Sequence, residues 1–185
     1  MKPASITSIM LAAAVSAAAL FGATASSLAQ EVTLRLHQFL PPQANVPKLV
    51  LDPWADRIEA ESGGRIKIER YAAMALGGTP PQLIDQATDG TVDIVWTLPG
   101  STPGRFPSTE VFELPFMMTN AEVTSRAYWD LFESRMKDTE FSDVHIIGVW
   151  VHGPGMLHSK QPIEKLADLQ GMKVRAPTRI INTLL

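Results

Sequence analysis

The chain has 185 residues, no cysteine and a formal net charge of −3. The lack of cysteine excludes a disulfide framework, a thiol nucleophile and a thiolate metal site. The slight excess of acidic residues argues against nucleic acid or an anionic membrane as a partner, because both attract basic surfaces. The chain is long enough to form a domain that buries its own hydrophobic core.

The first 29 residues have the layout of a secretory signal peptide. Lys2 precedes an alanine-rich apolar segment over residues 9–25, which the small-x-small triplet Ser27-Leu28-Ala29 follows. The apolar part is short and lacks a charged stop-transfer flank, so we expect cleavage after Ala29 rather than a membrane anchor. Export without disulfides predicts a periplasmic location, with no membrane insertion of the mature chain.

Apolar and alternating segments predict a parallel sheet with helices between its strands. The predicted strands are 32–39, 65–71, 92–98, 144–151 and 172–175. Helical spacing of apolar residues covers 46–58, 120–136, a segment that follows Thr79, and a short run over 166–170 that ends at Gly171. Strand, helix, strand is the order of a parallel α/β sheet, so the sequence predicts an α/β fold.

Two helices carry more specific predictions. Pro53 lies inside the first helical pattern, so it either kinks that helix or begins a helix that Asp52 caps. Asn120 is expected to cap the helix over 120–136, with Val123, Ala127, Leu131 and Phe132 on its inner face.

The sequence does not favour an enzyme, a metal site or a cofactor. It has no Gly-x-Ser-x-Gly motif, so the HGPG segment at 152–155 has no serine nucleophile to serve as an oxyanion loop. His145, His152 and His158 are spaced like loose metal ligands, but they straddle a strand and a glycine break without an acidic partner. The carboxylates show no close pairing of the kind that glycosidases use.

Aromatic and polar residues fall where the predicted strands end, which is where ligands bind in open α/β sheets. They are Gln38, Phe39, Trp96, Trp150, His152 and Arg175. A cleft lined by aromatic side chains, with one guanidinium at its floor, suits a small organic anion. The alternatives are an ordinary surface salt bridge for Arg175 and core packing for the two tryptophans.

Five motifs in the same order resemble the periplasmic solute-binding subunits of tripartite ATP-independent periplasmic (TRAP) transporters, the DctP family. They are ESGGRIKI at 61–68, LGG at 76–78, GTVDI at 90–94, FELPF at 112–116 and DLQGMKVRAP at 168–177. The resemblance implies a two-lobed type II periplasmic-binding-protein-like fold that closes on an organic acid and delivers it to an ion-gradient-driven TRAP permease. Residues 30–148 would form most of lobe one, and 149–185 the hinge strand and the start of an incomplete lobe two.

The resemblance also implies roles for site residues. Arg175 matches the arginine that forms the main salt bridge to the ligand carboxylate in this family. Trp96 and Trp150 would cover the apolar part of the ligand, while Phe39, Gln38 and His152 would tune specificity.

The chain departs from the family pattern in one segment. Some members carry a second basic residue in the segment that matches 152–157, where this chain has no arginine or lysine. The alternatives to a TRAP solute-binding protein are a binding protein of an ABC importer or a sensor, and a secreted α/β enzyme.

Overall fold

The computed structural model describes residues 31–185, so the predicted signal peptide at 1–29 lies outside the described residues. Among residues 31–185, no helix is both long enough and apolar enough to cross a bilayer. The described part of the chain is an α/β unit built on one small parallel sheet.

The sheet has three parallel strands in the order β2-β1-β3. They are β1 (Val32–Gln38), β2 (Ile66–Tyr71) and β3 (Ile94–Trp96). The strand β1 is central, and its register places Gln38 beside Trp96. The carboxyl ends of β1 and β3 therefore lie side by side, as expected for parallel strands that are joined through helices.

The helix after β1 contains Pro53 without being broken by it. A π-helical turn, Pro47–Leu51, runs directly into α1 (Asp52–Glu61), and the N–H of Asp52 donates to the Pro47 carbonyl. Pro53 cannot donate to the helix ladder, and the wider turn before it accommodates that loss. The prediction of a distortion at Pro53 is confirmed, whereas Asp52 lies inside the helical run and is not its N-cap.

Helices cover both faces of the sheet and bury two apolar clusters. The first cluster lies under α1 and contains Leu36, Leu51, Ala55 and Ile68. The second lies under α2 (Leu83–Thr88) and α3 (Ala121–Leu131), and contains Ile84, Phe106, Tyr128, Phe132, Met136 and Phe141. This arrangement is that of a doubly covered α/β sheet.

The cap of α3 is confirmed, and its predicted inner face is confirmed at Leu131 and Phe132 but wrong at Val123 and Ala127. The side chain of Asn120 accepts a hydrogen bond from the N–H of Val123 at 2.9 Å. Thr124 and Tyr128 are buried, whereas Val123 is 56 % exposed and Ala127 is also exposed. At its start the inner face carries a hydroxyl at Thr124, so a search for apolar residues alone placed that part of the face one position too early.

Two predicted strands are wrong. Residues 144–151 and 172–175 form no ladder with any described strand. The N–H of Val151 instead donates to the hydroxyl of Ser125 at 3.0 Å. Alternation shows which side chains can share a face, but a strand also needs a neighbouring backbone to pair with.

Candidate functional site

Three aromatic rings form a column at the carboxyl ends of β1 and β3. Phe39 stacks on Trp96 with ring centroids 5.1 Å apart and planes 21° from parallel. Trp96 stacks on Trp150 at 6.4 Å and 23°. We call Phe39, Trp96 and Trp150 the aromatic column. It brings together three of the six predicted site residues.

A groove of about 710 Å³ runs along the open edge of β3. It lies between α1 on one side and residues 143–150 on the other. Its lining includes Leu36, Val50, Trp54, Arg57, Ile94, Val95, Trp96, Thr97, Tyr128, Val149 and Trp150. The volume and the mainly apolar lining are those of a site for a small organic molecule, with Trp96 and Trp150 at its strand-end portion.

The side chain of Gln38 is held by the backbone that follows it. Its Nε2 donates to the Leu40 carbonyl at 2.8 Å, and its Oε1 accepts from the N–H of Leu40. Gln38 is only 2 % exposed, so its amide shapes the turn after β1. Both ends of the amide are therefore satisfied within the protein, and any influence on a ligand acts through the position of Phe39.

Arg175 is exposed and does not line the groove. Its guanidinium has no ion pair or hydrogen bond with any of residues 31–185. The chain is anchored just beyond it, where Thr178 donates to Glu113 and Arg179 pairs with Glu110 at 2.9 Å. The guanidinium thus keeps all its donors available for an anion.

His152 is exposed and is not part of the groove lining. Its Nδ1 donates to the carbonyl of the adjacent Gly153 at 2.5 Å. Within residues 31–185, no three potential metal ligands of the His, Cys, Asp and Glu types gather into one cluster. His145, His152 and His158 therefore do not form a site of the kind that their spacing suggested.

Arg57 is a groove residue that the sequence analysis missed. It lies on α1, three residues after Trp54, and has no ion pair or hydrogen bond within the described part of the chain. Arg57 and Asp93, which lies just before β3 begins, both line the groove. The helical spacing from Trp54 was the signal that could have revealed it.

Tyr128 contributes a buried hydroxyl to the groove wall. The residue is 5 % exposed, and its hydroxyl has no hydrogen-bond partner among residues 31–185. Burial raises the pKa of Tyr128, and the negative charges of Glu140 and Glu113 raise it further. The phenol therefore stays protonated at neutral pH, with one donor and its acceptor positions available.

A buried polar relay supports the loop that follows β2. The N–H of Leu76 donates to Nε2 of His37 at 3.3 Å, so this nitrogen is the acceptor of a neutral imidazole. Nδ1 of His37 then donates to Oε1 of Gln86 at 2.7 Å, and Nε2 of Gln86 donates to the Gly77 carbonyl at 3.1 Å. His37 is fully buried. The relay joins β1, α2 and the loop at the strand-end side of the sheet.

The same loop contains non-glycine residues in the left-handed region. Ala73 has φ 53° and Met74 has φ 60°. Their N–H groups donate to the carbonyls of Leu40 at 2.9 Å and Gln38 at 3.1 Å. Left-handed backbone at such residues persists only where its surroundings hold it, and it clusters at ligand sites. The loops after β1 and β2 therefore form one rigid rim beside the aromatic column.

A doubly covered parallel sheet with an apolar, aromatic groove beside its strand ends is typical of α/β proteins that bind small molecules. The family model "Bacterial extracellular solute-binding protein, family 7" (DctP) matches residues 37–183. The chain belongs to this family, whose members are substrate-binding transport proteins rather than enzymes. The fold class is confirmed, because similar solved structures are TRAP solute-binding proteins with the type II periplasmic-binding fold.

Two solved structures illustrate the likeness. A TRAP solute-binding protein from Rhodoferax ferrireducens, in complex with copurified benzoate, is 55 % identical with a TM-score of 0.75 and covers 80 % of this chain and 46 % of its own. A marine metagenome TRAP solute-binding protein specific for aromatic acid ligands, in complex with 3-hydroxybenzoate, is 48 % identical with a TM-score of 0.80. That match covers 84 % of this chain and 49 % of the other.

A curated relative extends the comparison. The "Outer membrane transporter protein TsaT" of Comamonas testosteroni is 30 % identical over 153 residues, which is 82 % of this chain and 45 % of that protein. The chain thus spans about half the length of the proteins it matches.

Proposed function

We propose that this protein captures a small organic acid, with aromatic monocarboxylates as the preferred class, and delivers it to a TRAP permease. The observation that carries the proposal is the aromatic column at one end of the apolar groove. The planar ring of a ligand can stack on the rings of the aromatic column. The ligands of two similar proteins, benzoate and 3-hydroxybenzoate, support the same class.

The proposed mechanism is reversible binding coupled to hinge closure. Trp96 and Trp150 cover the apolar part of the ligand, and Phe39 supports Trp96 from behind. Arg175, whose guanidinium has no partner among the described residues, binds the carboxylate through two parallel hydrogen bonds when the lobes close. The closed form is favoured because only in it does the ligand touch both lobes. His152 lies two residues from Trp150 and adjusts specificity at the rim.

The proposal includes export by the signal peptide at 1–29 and action in the periplasm as a binding protein without catalytic activity. Mass spectrometry of the protein from a periplasmic extract should give a mature N-terminus at Gln30. A chain that keeps Lys2 and stays with the membrane fraction would contradict it.

The anion contact is tested by removing Arg175 and, separately, Arg57, neither of which has an ion pair among the described residues. In the full-length protein, Arg175→Ala should weaken benzoate binding by about 2–5 kcal/mol, because the enclosed carboxylate would lose its partner. Arg57→Ala is the matched control, since it also removes an exposed arginine without an ion pair among the described residues, but one that lines the groove. Isothermal titration calorimetry gives both affinities.

Each outcome has a separate meaning. A loss in Arg57→Ala with none in Arg175→Ala would reassign the anion contact to Arg57. Full affinity in both variants would refute a guanidinium clamp. Delivery is tested with the permease in proteoliposomes, where uptake of labelled benzoate should require both the binding protein and an ion gradient. Gradient-independent uptake would contradict the proposed transporter class.

A further inference from the structure

The two ring pairs of the aromatic column differ in the distance between their ring centroids. Phe39 and Trp96 are in direct contact at 5.1 Å, whereas Trp96 and Trp150 are 6.4 Å apart with nearly the same tilt. Two rings in face-to-face contact have atoms about 3.5–4.0 Å apart, so a third ring between two parallel faces needs roughly 7–8 Å. The spacing of the Trp96 and Trp150 ring planes is no larger than their 6.4 Å centroid separation, so the two indoles must move apart to admit a ring.

The two tryptophans are also held differently. Trp96 belongs to β3, pairs in register with Gln38 of β1, and rests on Phe39. Trp150 is 40 % exposed and belongs to a segment without ladder hydrogen bonds. The nearest backbone anchor is the bond from the N–H of Val151 to Ser125, and Gly148 lies upstream. Segments with few backbone hydrogen bonds open at a low free-energy cost.

On the basis of the proposed function, we propose that the ring of the ligand enters between Trp96 and Trp150, with Trp96 as a fixed platform and Trp150 as a cover that moves outward. The site then selects by planarity, because a flat ring needs the smallest displacement of Trp150 and stacks on both indoles. A saturated ring of similar area is thicker and has no π face. It would need a larger opening and would gain less from each contact.

The test compares benzoate with cyclohexanecarboxylate, which carries the same charge on a saturated six-membered ring. Calorimetry on the full-length protein should give benzoate an affinity about tenfold higher or more, since two stacked faces contribute. In Trp150→Leu this preference should fall towards equality, while Trp150→Phe should retain most of it. Trp129→Leu is the matched control, because Trp129 lies on α3, contacts the tilted ring of Phe132 with centroids 5.4 Å apart, and does not line the groove. The control should keep the full preference.

The outcomes separate this inference from the proposed function. Equal affinity for the two acids in the unsubstituted protein would overturn the inserted ring while leaving carboxylate capture intact. A preference that survives Trp150→Leu but is lost in Trp96→Leu would overturn the role of Trp150 as a cover. Binding of neither acid, with binding of non-aromatic acids that Arg175→Ala abolishes, would overturn the insertion and the aromatic class together but not the anion contact.

Discussion

The imidazole of His37 donates from Nδ1 to Oε1 of Gln86 at 2.7 Å, and this bond ties the central strand to α2. The opposite ring nitrogen accepts the N–H of Leu76, so one side chain supports two elements that are distant in sequence. A buried imidazole in this position satisfies polar groups that would otherwise be desolvated without partners. The relay stabilises the rim of the site without touching the groove, whose lining does not include His37.

Replacing His37 should therefore destabilise the protein. His37→Leu leaves Oε1 of Gln86 and the N–H of Leu76 without their partners, so the free energy of unfolding should fall by about 1–3 kcal/mol. Chemical denaturation measures this change. His158→Leu, at an exposed histidine, should change it by less than about 0.5 kcal/mol. The double variant His37→Leu/Gln86→Leu should cost less than the sum of its single changes, since both ends of one bond are removed. Strict additivity would contradict the relay.

The glycines at 77 and 78 should respond differently to the same substitution. Both have left-handed φ, 86° and 84°, so alanine at either position costs about 1–2 kcal/mol in backbone strain. A Cβ at Gly77 meets nothing within 4 Å, whereas one at Gly78 lies 2.9 Å from Nε2 of Gln86. Gly78→Ala must displace that amide from its bond to the Gly77 carbonyl. We expect Gly78→Ala to unfold more easily than Gly77→Ala by about 1 kcal/mol, and equal stabilities would show that Gln86 relaxes freely.

Glu59 predicts how stability depends on acid pH. The N–H of Ile68 donates to its carboxylate, Lys67 donates at 3.0 Å, and together these bonds lower the pKa of Glu59. Because the pKa of Glu59 is lower in the folded protein than in the unfolded chain, these bonds stabilise the protein fully at pH values above the pKa of the unfolded chain. This stabilisation is lost as the pH falls through the pKa of the folded protein.

Chemical denaturation between pH 7 and pH 3 should therefore show that the free energy of unfolding of the unsubstituted protein exceeds that of Glu59→Gln at pH 7, and that this difference shrinks as the pH falls. Glu61→Gln, on the same helix, removes a carboxylate that has no hydrogen bond or ion pair among the described residues. It should follow the unsubstituted protein throughout. A constant gap between Glu59→Gln and the unsubstituted protein would contradict the assigned interaction.

The sequence predicted correctly those structural features that depend on residues close to one another along the chain. The strands β1 and β2 begin and end within one residue of their predicted bounds, since alternation and the flanking Pro and Gly residues are local signals. The cap at Asn120 and the left-handed Gly171, with φ 75°, were also predictable. The resemblance of five motifs, in the same order, predicted the family, and the match over residues 37–183 confirms it.

Features that depend on distant partners were not predictable. Residues 144–151 have the pattern of a strand but no paired neighbour, and Gln38 turned out to be bonded to Leu40. The sequence predicted that aromatic residues lie at strand ends, but not that their rings stack in a column. The distance between Trp96 and Trp150 depends on how a loop 54 residues further along the chain packs. Arg57 shares a face of α1 with Trp54, but the packing of that face against the groove depends on distant elements. The roles of Arg175 and His152 in binding stay predictions.

The strand β3 pairs with β1 along one side only, and among the described residues its other side borders the groove. A row of backbone donors and acceptors that no strand covers can pair with a second molecule. Residues 31–185 prepared alone should therefore associate as their concentration rises, through strand-to-strand contacts rather than through the charged outer faces of the helices. In a ligand screen on such a preparation, self-association of the protein would then affect the signal as much as ligand affinity does.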